Sequence, residues 1–350
     1  MMIKSERTPE YNISIIVPAY NAEATIQETL KSLLNQTLDN IEIICVDDGS
    51  DDSTPKLLSL FQSKYPDIIK VLTIPNQGVY KARSAGIEAA QGKYIGFCDS
   101  DDTIEPLMFE TLFNKAQETA ADLTICAYWR QDKNDVLSIE MRHSELSWCA
   151  VDDSSGWLVS INTAVWNKLF KASIAKRKVS FHHPPKITED ALFLLSLYPC
   201  IKRIAFVDKP LYHYFTNNST AMKSITQDEI QFVIASWKEL RGFLEKSTPA
   251  YIPIVDLAAF IHLGLSIPLI MTKTHNAELN KYLNTIRKTL NDDFGTFKQS
   301  RFLKLSYIKK HRTWMTLPFF ASLLHRAHIL EPALKSYAYL TSALGKDLKW

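Results

Sequence analysis

Cysteine is scarce in this sequence, and the cysteines are not spaced as a disulfide framework or a zinc site requires. Three of them stand in apolar runs that predict buried strands. The five cysteines among the 350 residues are Cys45, Cys98, Cys126, Cys149 and Cys200. Scattered thiols of this kind exclude a disulfide-stapled scaffold and a cysteine-rich metal centre, and they indicate a reducing compartment.

An excess of charge of one sign and a long uninterrupted apolar run are also missing. The 40 Lys and Arg residues against 38 Asp and Glu leave a net charge of +2, so no global field favours nucleic acid as a partner. Residues 1–10 are polar and lack the apolar core of a signal peptide. The longest apolar run, residues 257–271, is interrupted by His262 and Pro268 and is short for a bilayer span. We expect a cytoplasmic protein with at most peripheral membrane contact.

Strand and helix patterns alternate along the first third of the chain. Apolar strand patterns occur at residues 13–17, 41–46, 71–74 and 94–98, with amphipathic helix patterns at 22–35, 53–65 and 79–90. This alternation predicts a parallel, doubly wound α/β sheet flanked by helices. The first strand is followed by neither a Walker lysine motif nor a GxGxxG turn, which excludes an ordinary P-loop or dinucleotide-binding fold.

The pattern continues for one more unit and then becomes irregular. A helix is predicted over residues 107–119 and a fifth strand over 121–128. Residues 131–156 are polar and predict an irregular loop or a small insertion. A short strand is predicted again at 204–207.

The second half of the chain contains more helix. Thr188 is expected to cap a helix with its side chain, and His182 and His183 are expected to lie in a loop. Long amphipathic helices dominate from residue 226 onward. The sequence therefore predicts an α/β domain over 1–224 and a helical C-terminal region over 225–350.

The most informative stretch is the strand pattern at residues 94–98 with the acids after it, Asp99, Asp101 and Asp102. Like charges this close repel by ~4 kcal/mol per pair at 4 Å and an effective dielectric of ~20. A divalent cation would turn the repulsion into attraction, and oxygen ligands at a strand end suit Mg²⁺ or Mn²⁺. The alternative, equally open from these residues alone, is a solvated acidic turn that caps the next helix. Asp102 in particular is expected to cap the following turn.

Polar residues also follow the other predicted strands at the point where each strand ends. They are Tyr20 and Asn21, Asp47 and Asp48, and Asn76. The carboxyl ends of parallel strands lie along one edge of a sheet, and ligands bind there. The sequence therefore predicts one polar site at that edge rather than several separate caps.

Taken together, the motifs resemble the family 2 glycosyltransferases of the GT-A fold. In chain order they are VPAYN at 17–21, VDDGS at 46–50, NQG at 76–78 with Arg83, DSDD at 99–102, and Glu189 with Asp190. The resemblance covers residues 11–224 and implies a Rossmann-like, mostly parallel sheet. The segments at 166–170 and 189–193 most resemble bacterial enzymes that build lipooligosaccharide, capsule or exopolysaccharide.

The resemblance implies inverting transfer of a sugar from a nucleoside diphosphate donor, usually a UDP-sugar, to a hydroxyl of an oligosaccharide or lipid-linked acceptor. It also implies Mn²⁺ or Mg²⁺ as the cofactor. By correspondence, Asp101 is the main metal ligand, and Asp99 reaches the ribose or a metal-bound water. Asp190 is the candidate general base, and Glu189 orients the acceptor. The alternative for Glu189 and Asp190 is that the helix dipole alone favours acids at a helix N-terminus.

The same resemblance assigns residues to the nucleotide. Asp48 accepts a hydrogen bond from N3–H of the base, and Pro18 and Tyr20 form the wall against which base and ribose pack. Further nucleotide contacts are assigned to Asn21, Asn76, Arg83, Ser100 and, at the diphosphate, Lys168. For Arg83 and Lys168 the alternative is an exposed surface cation. His213 is assigned either to the metal shell or to a packed aromatic cluster.

Two other functions fit part of the sequence. A nucleotidyltransferase also combines an α/β sheet with paired aspartates, but residues 18–21 stand where it would carry a Gly-rich basic loop. A catalytically silent sugar-nucleotide-binding partner subunit would bind the donor without transferring it. The intact acids Asp99, Asp101 and Asp190 argue against that alternative.

The last fifty residues mix basic and aromatic side chains. They include Arg301, Lys304, Lys309, Lys310, Arg312, Arg326 and Lys335, with Phe302, Tyr307, Trp314, Phe319 and Phe320. This composition is typical of a helix that contacts anionic lipid, here at the inner membrane, or a lipid-linked acceptor. The alternative is a packed helical subdomain or a homo-oligomer interface.

Overall fold

The structure is a computed structural model of the chain. It describes residues 11–132, 136–140, 147–151, 161–177, 179, 181, 184–216, 226–274, 276–307, 315–327, 329–330, 332–334 and 336. Some predictions fall outside these residues. They are the ones made for residues 1–10, His182, His183, Lys309, Lys310, Arg312, Trp314 and Lys335.

The chain divides into two compact units. The first, here called the sheet unit, comprises residues 1–151, 162–178 and 200–217. The second, here called the helical unit, comprises residues 152–161, 179–199 and 218–350. The last change of unit lies close to the predicted boundary after residue 224. The segment 179–199, which carries Glu189 and Asp190, belongs to the helical unit.

Four parallel strands form one half of the sheet, in the order β3-β2-β1-β4. They are β1 (Tyr11–Ala19), β2 (Ile41–Asp47), β3 (Ile69–Thr73) and β4 (Gly92–Phe97). The apolar runs of β1 and β2 are buried on both faces, as expected for strands that helices cover on either side. These four strands confirm the predicted alternation, and their carboxyl ends meet at one edge of the sheet.

Four helices accompany these strands, and each lies within the predicted range. They are α1 (Ile26–Leu34), α2 (Thr54–Lys64), α3 (Val79–Ala89) and α4 (Met108–Thr119). The amphipathic face of α1 buries Ile26, Leu30 and Leu33 in the core of the sheet unit. Gly96 of β4 lies so close to the ring of Phe109 that a Cβ at this position would overlap it.

The other half of the sheet is mixed, and its order continues β9-β6-β10-β5. These strands are β5 (Thr103–Ile104), β6 (Leu123–Gln131), β9 (Lys168–Lys171) and β10 (Arg203–Phe215). Strand β9 runs antiparallel to both β4 and β6, while β10 runs parallel to β6 and antiparallel to β5. The fold is therefore the predicted GT-A-like α/β sheet, with its parallel part concentrated in β1–β4.

The segment 131–156 rules out one of its two predicted alternatives, the irregular loop, and leaves the small insertion. It is more than an irregular loop, because it contains β7 (Val136–Glu140) and β8 (Trp148–Ala150). Strand β7 pairs with β6 and β8 pairs with β10, both antiparallel. Strand β8 pairs with residues 203–205, which lie far along the chain, and a local pattern does not reveal such partners. Strand β7 instead pairs with β6, the strand that precedes it in the sequence.

Strand β10 corrects another prediction, because it continues far beyond residues 204–207. Pro210 has no N–H group to donate to a neighbouring strand, so a sequence pattern ends the strand there. In the structure the register between β10 and β6 shifts between Val207 and Tyr212. The proline lies in this irregularity, and regular pairing resumes after it.

Among the described residues, the helical unit contains α6 to α11 and short 3₁₀ turns, while the four-residue helix α5 (Ala172–Ala175) belongs to the sheet unit. The described helices are α6 (Glu189–Leu197), α7 (Gln227–Ser247), α8 (Ile252–Ile261), α9 (Ile267–Lys273), α10 (Leu279–Asp292) and α11 (Thr316–Arg326). A π-helical turn, His262–Ser266, joins α8 to α9. Helix α7 begins with a capping box in which Thr226 and Glu229 bond each other's backbone.

One continuous helical stretch among the described residues, Pro249–Thr272, is long and apolar enough to cross a membrane by length and composition. It has 24 residues, and its most apolar window has a mean hydropathy of 2.0. The prediction that this run is too short for a span is thereby corrected. Because 83% of that window is buried within the protein, burial rather than length favours a core helix.

Candidate active site

Asp48 follows β2 and is buried, with two backbone amides holding its carboxylate. The N–H groups of Gln77 and Gly78 donate to its two oxygens over 2.9 and 2.8 Å. Gly49 has a φ of +72°, and a Cβ there would lie 2.7 Å from the backbone nitrogen of Asn76, so the turn requires glycine. Burial raises the pKa of the Asp48 carboxyl, and the two amide donors oppose that rise. The carboxylate is thereby fixed at the edge of the sheet, and each oxygen keeps a second lone pair for a ligand donor.

The loop after β1 is joined to the loop after β2 by side chains. Asn21 Oδ1 accepts from the Asp51 N–H at 3.0 Å, and the Asn21 N–H donates to Ser50 Oγ at 3.0 Å. The φ of Asn21 is 49°, in the left-handed region that asparagine tolerates. Pro18 is buried within β1, whereas the Tyr20 side chain is half exposed. The structure thus uses Asn21 to join the two loops, and it leaves the Tyr20 ring at the surface of the same edge.

The loop after β4 carries the three acids, and residues of β10 anchor it. The Tyr212 hydroxyl accepts from the Asp99 N–H at 3.1 Å and donates to Asp102 Oδ2 at 2.7 Å. The Phe215 N–H donates to Asp102 Oδ1 at 2.9 Å. The prediction that Asp102 caps the following turn is therefore wrong. Its buried carboxylate instead ties the acidic loop to β10, because both of its oxygens accept from that strand.

Two further contacts fix this loop to neighbouring helices. The Thr29 hydroxyl of α1 donates to the Ser100 carbonyl at 3.0 Å. Arg83 of α3 is buried, which excludes the alternative of an exposed surface arginine, and its Nη2 lies 2.9 Å from Asp99 Oδ1. The structure therefore brings Arg83, Asp99 and Ser100 together, with Arg83 paired to an acid of the predicted site.

The environment of the acidic loop is strongly negative. Burial raises the pKa of the Asp102 carboxyl well above its ordinary value, and the charges of Asp99 and Asp101 raise it further. The Tyr212 hydroxyl is affected in the same direction, because burial and then the Asp102 charge raise its pKa. The loop is therefore held in place by hydrogen bonds while its carboxylates repel one another.

Asp99 and Asp101 are the acids of this loop that fit a divalent cation. Asp101 is exposed and Asp99 is partly exposed, whereas Asp102 is buried. Mg²⁺ and Mn²⁺ prefer hard oxygen ligands, and Mg²⁺ sites typically combine one or two carboxylates with water and phosphate oxygens. Within the described residues, no group of three or more His, Cys, Asp or Glu side chains is arranged to hold a metal ion. The two carboxylates therefore fit a site that the oxygens of a bound diphosphate would complete.

His213 follows Tyr212 on β10, so its side chain lies on the opposite face of the strand. Its Nε2 lies 2.8 Å from Glu105 Oε1, and its Nδ1 lies 3.2 Å from Gln131 Oε1. The imidazole ring stacks on Trp129 with centroids 4.4 Å apart. The assignment of His213 to a metal shell is therefore corrected, because both ring nitrogens face protein oxygens. The structure agrees with the other alternative, in which His213 packs in an aromatic cluster.

Lys168 requires a similar correction, because it is fully buried. Its Nζ donates to Asn162 Oδ1 at 2.6 Å, to the Ala164 carbonyl at 2.5 Å and to Asn167 Oδ1 at 2.9 Å. An ammonium group has three N–H donors, and these three acceptors use all of them. Neither the predicted contact with a diphosphate nor the surface-lysine alternative fits this arrangement. Lys168 instead stabilises the segment that leads into β9.

Glu189 and Asp190 form the first turn of α6 in the helical unit. The seven residues after them, 191–197, are all buried, as expected for a helix that is apolar on every side. The two acids are partly exposed, so the polar end of this helix is the part that a ligand can reach. Thr188 occupies the N-cap position as predicted, but its side chain makes no capping hydrogen bond.

Tyr212 is the residue of this site that the sequence reasoning missed. The Trp166 ring stacks on Tyr212 and on Tyr214 with centroids 4.4 and 5.3 Å apart. Tyr212 and Tyr214 stand two residues apart, so they share one face of β10. This alternation of tyrosines was the available signal, but Pro210 obscured the strand that it belongs to.

Comparisons with known proteins bear on the family and the fold of the chain. A family model described as glycosyl transferase family 2 matches residues 14–182. EpsH of Bacillus subtilis (strain 168), which is provisionally named a glycosyltransferase, is 31% identical to the chain over 264 residues. That alignment covers 73% of this chain and 75% of EpsH.

A second relative and a solved structure extend the comparison. The poly(ribitol-phosphate) beta-glucosyltransferase of Bacillus spizizenii is 32% identical over 217 residues, which cover 61% of this chain and 33% of that protein. The crystal structure of S. aureus TarS 1–349 in complex with UDP-GlcNAc superimposes with a TM-score of 0.70 at 19% identity. It covers 97% of this chain and 93% of that chain, and the likeness shows a shared fold.

Proposed function

Because the chain belongs to glycosyl transferase family 2, we propose that it transfers a sugar from a UDP-sugar to a hydroxyl of a growing bacterial surface glycan. The proposal includes dependence on Mn²⁺ or Mg²⁺ and inversion at the anomeric carbon. The proposed glycan is a lipooligosaccharide, a capsule, an exopolysaccharide or a poly(ribitol phosphate). The last of these is the polymer named in the Bacillus spizizenii relative.

The observation that carries the proposal is the arrangement of acids after β2 and β4. Asp48 is fixed by two backbone amides, and Asp99 and Asp101 stand together in a loop anchored by Tyr212. Asp48 is a hydrogen-bond acceptor that suits the base of a nucleoside diphosphate. Asp99 and Asp101 are cation ligands that suit its diphosphate end. The edge at which parallel strands end is where such ligands bind in open α/β sheets. The complex of TarS with UDP-GlcNAc, a chain of the same fold, supports uridine as the nucleoside.

The residues have separate tasks in this proposal. Asp48 accepts from N3–H of the base, the Tyr20 ring packs on the nucleoside, and Asp99 and Asp101 hold the metal ion. An ion held there would supply Lewis-acid stabilisation for the charge on the leaving UDP. Asp190 accepts the proton of the acceptor hydroxyl. As the proton leaves, the hydroxyl oxygen bonds to the anomeric carbon, and the bond from that carbon to the diphosphate breaks. Attack on the face opposite the leaving group inverts the configuration.

The proposal also includes the acceptor and the location. Three apolar side chains of α11, Leu317, Phe320 and Leu323, are exposed, and Arg326 ends that helix. Exposed apolar residues with a basic flank are typical of an interfacial helix, which supports peripheral contact with the cytoplasmic face of the inner membrane. A lipid-linked acceptor would be reached from there. Sedimentation with anionic vesicles should fall for Phe320→Ser, and unchanged sedimentation would favour a homo-oligomer interface instead.

The direct test of the activity is UDP release from a panel of UDP-sugars, with Mn²⁺ and with EDTA. We expect release with Mn²⁺ to exceed release with EDTA at least tenfold. Asp190→Asn should lower transfer by roughly 10²- to 10⁴-fold while UDP affinity stays within about twofold. Asp228→Asn is the matched control, because Asp228 is an exposed acid in the first turn of α7.

The other outcomes identify the other functions. Transfer at the full rate by Asp190→Asn would remove Asp190 as the base. Consumption of a nucleoside triphosphate would indicate a nucleotidyltransferase. Binding of UDP with metal, without turnover of any sugar in the panel, would indicate a silent sugar-nucleotide-binding subunit.

A further inference from the structure

Thr188, directly before α6, has an unusual backbone conformation. Its φ is 65° and its ψ is 8°, which places it in the left-handed region. The N-cap residue of a helix normally has an extended backbone, and a β-branched residue is a genuine outlier in the left-handed region. The other non-glycine residues with positive φ among the described residues are Asn21, Asn40 and Ala120, none of which is β-branched. The surrounding structure must therefore hold Thr188 in place.

The contact that holds it comes from a helix far along the chain. Trp237 of α7 is fully buried, and its Nε1–H donates to Thr188 Oγ1 at 3.1 Å. A buried indole N–H needs an acceptor, because leaving it unpaired costs the desolvation of a polar group. The same threonine accepts through its carbonyl from the Leu192 N–H at 3.0 Å, which begins the helix. Thr188 therefore links the first turn of α6 to a rigid aromatic side chain.

The two acids of the first turn of α6 come directly after this link. Residues 191–197 are buried, so packing fixes the body of α6. Glu189 and Asp190 lie between that body and Thr188, and they are partly exposed. The direction in which the chain enters the helix sets how the side chains of the first turn are presented. If the hydrogen bond from Trp237 holds Thr188 in its strained conformation, the first turn of α6 has one defined geometry. Asp190 then has one defined orientation.

We propose that the Trp237–Thr188 hydrogen bond is a positioning device for the catalytic base. It holds Thr188 in the left-handed conformation and thereby fixes the orientation of Asp190 toward the acceptor hydroxyl. The inference rests on the proposed function, in which Asp190 accepts the proton. Thr188 and Trp237 are positioning residues, and in this proposal they touch neither donor nor acceptor.

The test uses conservative changes at both ends of the bond. Thr188→Val removes the acceptor oxygen and keeps the β-branched shape, Thr188→Ser keeps the oxygen, and Trp237→Phe removes the donor and keeps an aromatic ring. We expect Thr188→Val and Trp237→Phe to lower kcat roughly 10- to 100-fold, the size of effect that a misplaced catalytic group produces. The donor KM should stay within about twofold, and Thr188→Ser should stay within about threefold of the wild-type kcat.

A matched control separates positioning from general stability. The Tyr282 hydroxyl donates to the Leu263 carbonyl at 2.7 Å, and both residues are buried in the helical unit. Tyr282→Phe therefore removes another buried hydrogen bond of that unit, and we expect its kcat to be unchanged. If kcat falls as far in Tyr282→Phe as in Thr188→Val, the effect is one of stability and the proposal is overturned.

A double-mutant cycle distinguishes failure of this inference from failure of the proposed function. If Thr188 acts through Asp190, then Thr188→Val should cause no further loss in an Asp190→Asn background. An equal fractional loss in both backgrounds would overturn the positioning role while leaving Asp190 as the base. Full activity of Asp190→Asn alone would instead remove the base and, with it, the premise. Wild-type kcat in both Thr188→Val and Trp237→Phe would also overturn the positioning role.

Discussion

Asp102 in the sheet unit and Asp256 in the helical unit are both buried carboxylates, and burial raises the pKa of each. Their neighbours differ. Asp256 accepts from Arg241 Nε at 2.9 Å and from the N–H and hydroxyl of Thr296 at 3.1 and 2.6 Å, and these donors oppose the rise in its pKa. Asp102 stands beside Asp99 and Asp101, whose charges raise its pKa further.

This is the difference expected between an acid that stabilises the fold and acids that bind a ligand. Asp256 has a cation and two further donors, so its charge is matched within the protein. Among the acids after β4, Asp99 pairs with Arg83, yet the charges of Asp99 and Asp101 still raise the pKa of Asp102. A cation bound at this loop would relieve that repulsion. Crowded carboxylates whose positions are fixed are expected at a binding site rather than in a packed core.

The largest expected effect is a loss of stability when Arg241, the cation paired with Asp256, is removed. Arg241→Met leaves a buried carboxylate without its guanidinium, which should lower the free energy of unfolding by about 3–5 kcal/mol. Urea unfolding measures this loss. The control is Lys238→Met on the same helix, whose partner Asp293 lies 2.7 Å away in a half-exposed pair. That change should cost less than about 1 kcal/mol. Equal costs for the two variants would show that Asp256 is not a structural ion pair.

The matching change in the sheet unit should affect activity instead of stability. Asp101→Asn removes one charge from the crowded loop, so we expect an unfolding free energy that is unchanged or slightly higher. Transfer with Mn²⁺ should fall by roughly 10²- to 10³-fold, because several kcal/mol of stabilisation of the leaving group are lost. Asp67→Asn, an exposed acid of the same unit, is the control. A large loss of stability with unchanged transfer would reverse the comparison.

A smaller and pH-dependent effect is expected for Tyr212→Phe. The raised pKa of Asp102 means that the folded state binds this proton more tightly than the unfolded chain does. Protonation of Asp102 therefore stabilises the folded state fully below the ordinary carboxyl pKa of ~3.9. This stabilisation is lost as the pH rises through the raised pKa. Loss of the hydroxyl donor raises that pKa further. The variant should cost about 1–3 kcal/mol at neutral pH and less in acid.

Urea unfolding in EDTA at a series of pH values measures this dependence. Tyr214→Phe, on the same strand and also stacked on Trp166, is the matched control and should show little change. A Tyr212→Phe penalty that is the same at every pH would mean that the hydroxyl does not act on the Asp102 charge.

The sequence predicted the parallel half of the fold well, because local patterns determine it. The apolar runs of β1 and β2 are buried on both faces, and β1 to β4 alternate with helices, which a window of ten residues reveals. The family resemblance rested on motifs at these strand ends. It is confirmed at the level of fold and family, while the roles of Asp48, Asp101 and Asp190 stay predictions.

The sequence failed where side-chain contacts in the folded chain decide what a residue can bind. Lys168 resembled a phosphate ligand, but acceptors at Asn162, Ala164 and Asn167 take up its three donors. His213 resembled a metal ligand, but its place on β10 turns it toward Glu105 and Gln131. A residue's type and spacing indicate what it can bind, whereas only the folded chain shows which partners are already present.

The most direct test of the central claim is calorimetric titration of the wild-type protein with UDP, in Mn²⁺ and in EDTA. The account predicts at least tenfold tighter binding with Mn²⁺, because a cation held by Asp99 and Asp101 would offset the charge of the diphosphate. The gain should be lost in Asp101→Asn, while the affinity in EDTA stays the same. Equal affinity of the wild-type protein for UDP with and without the metal would contradict the account.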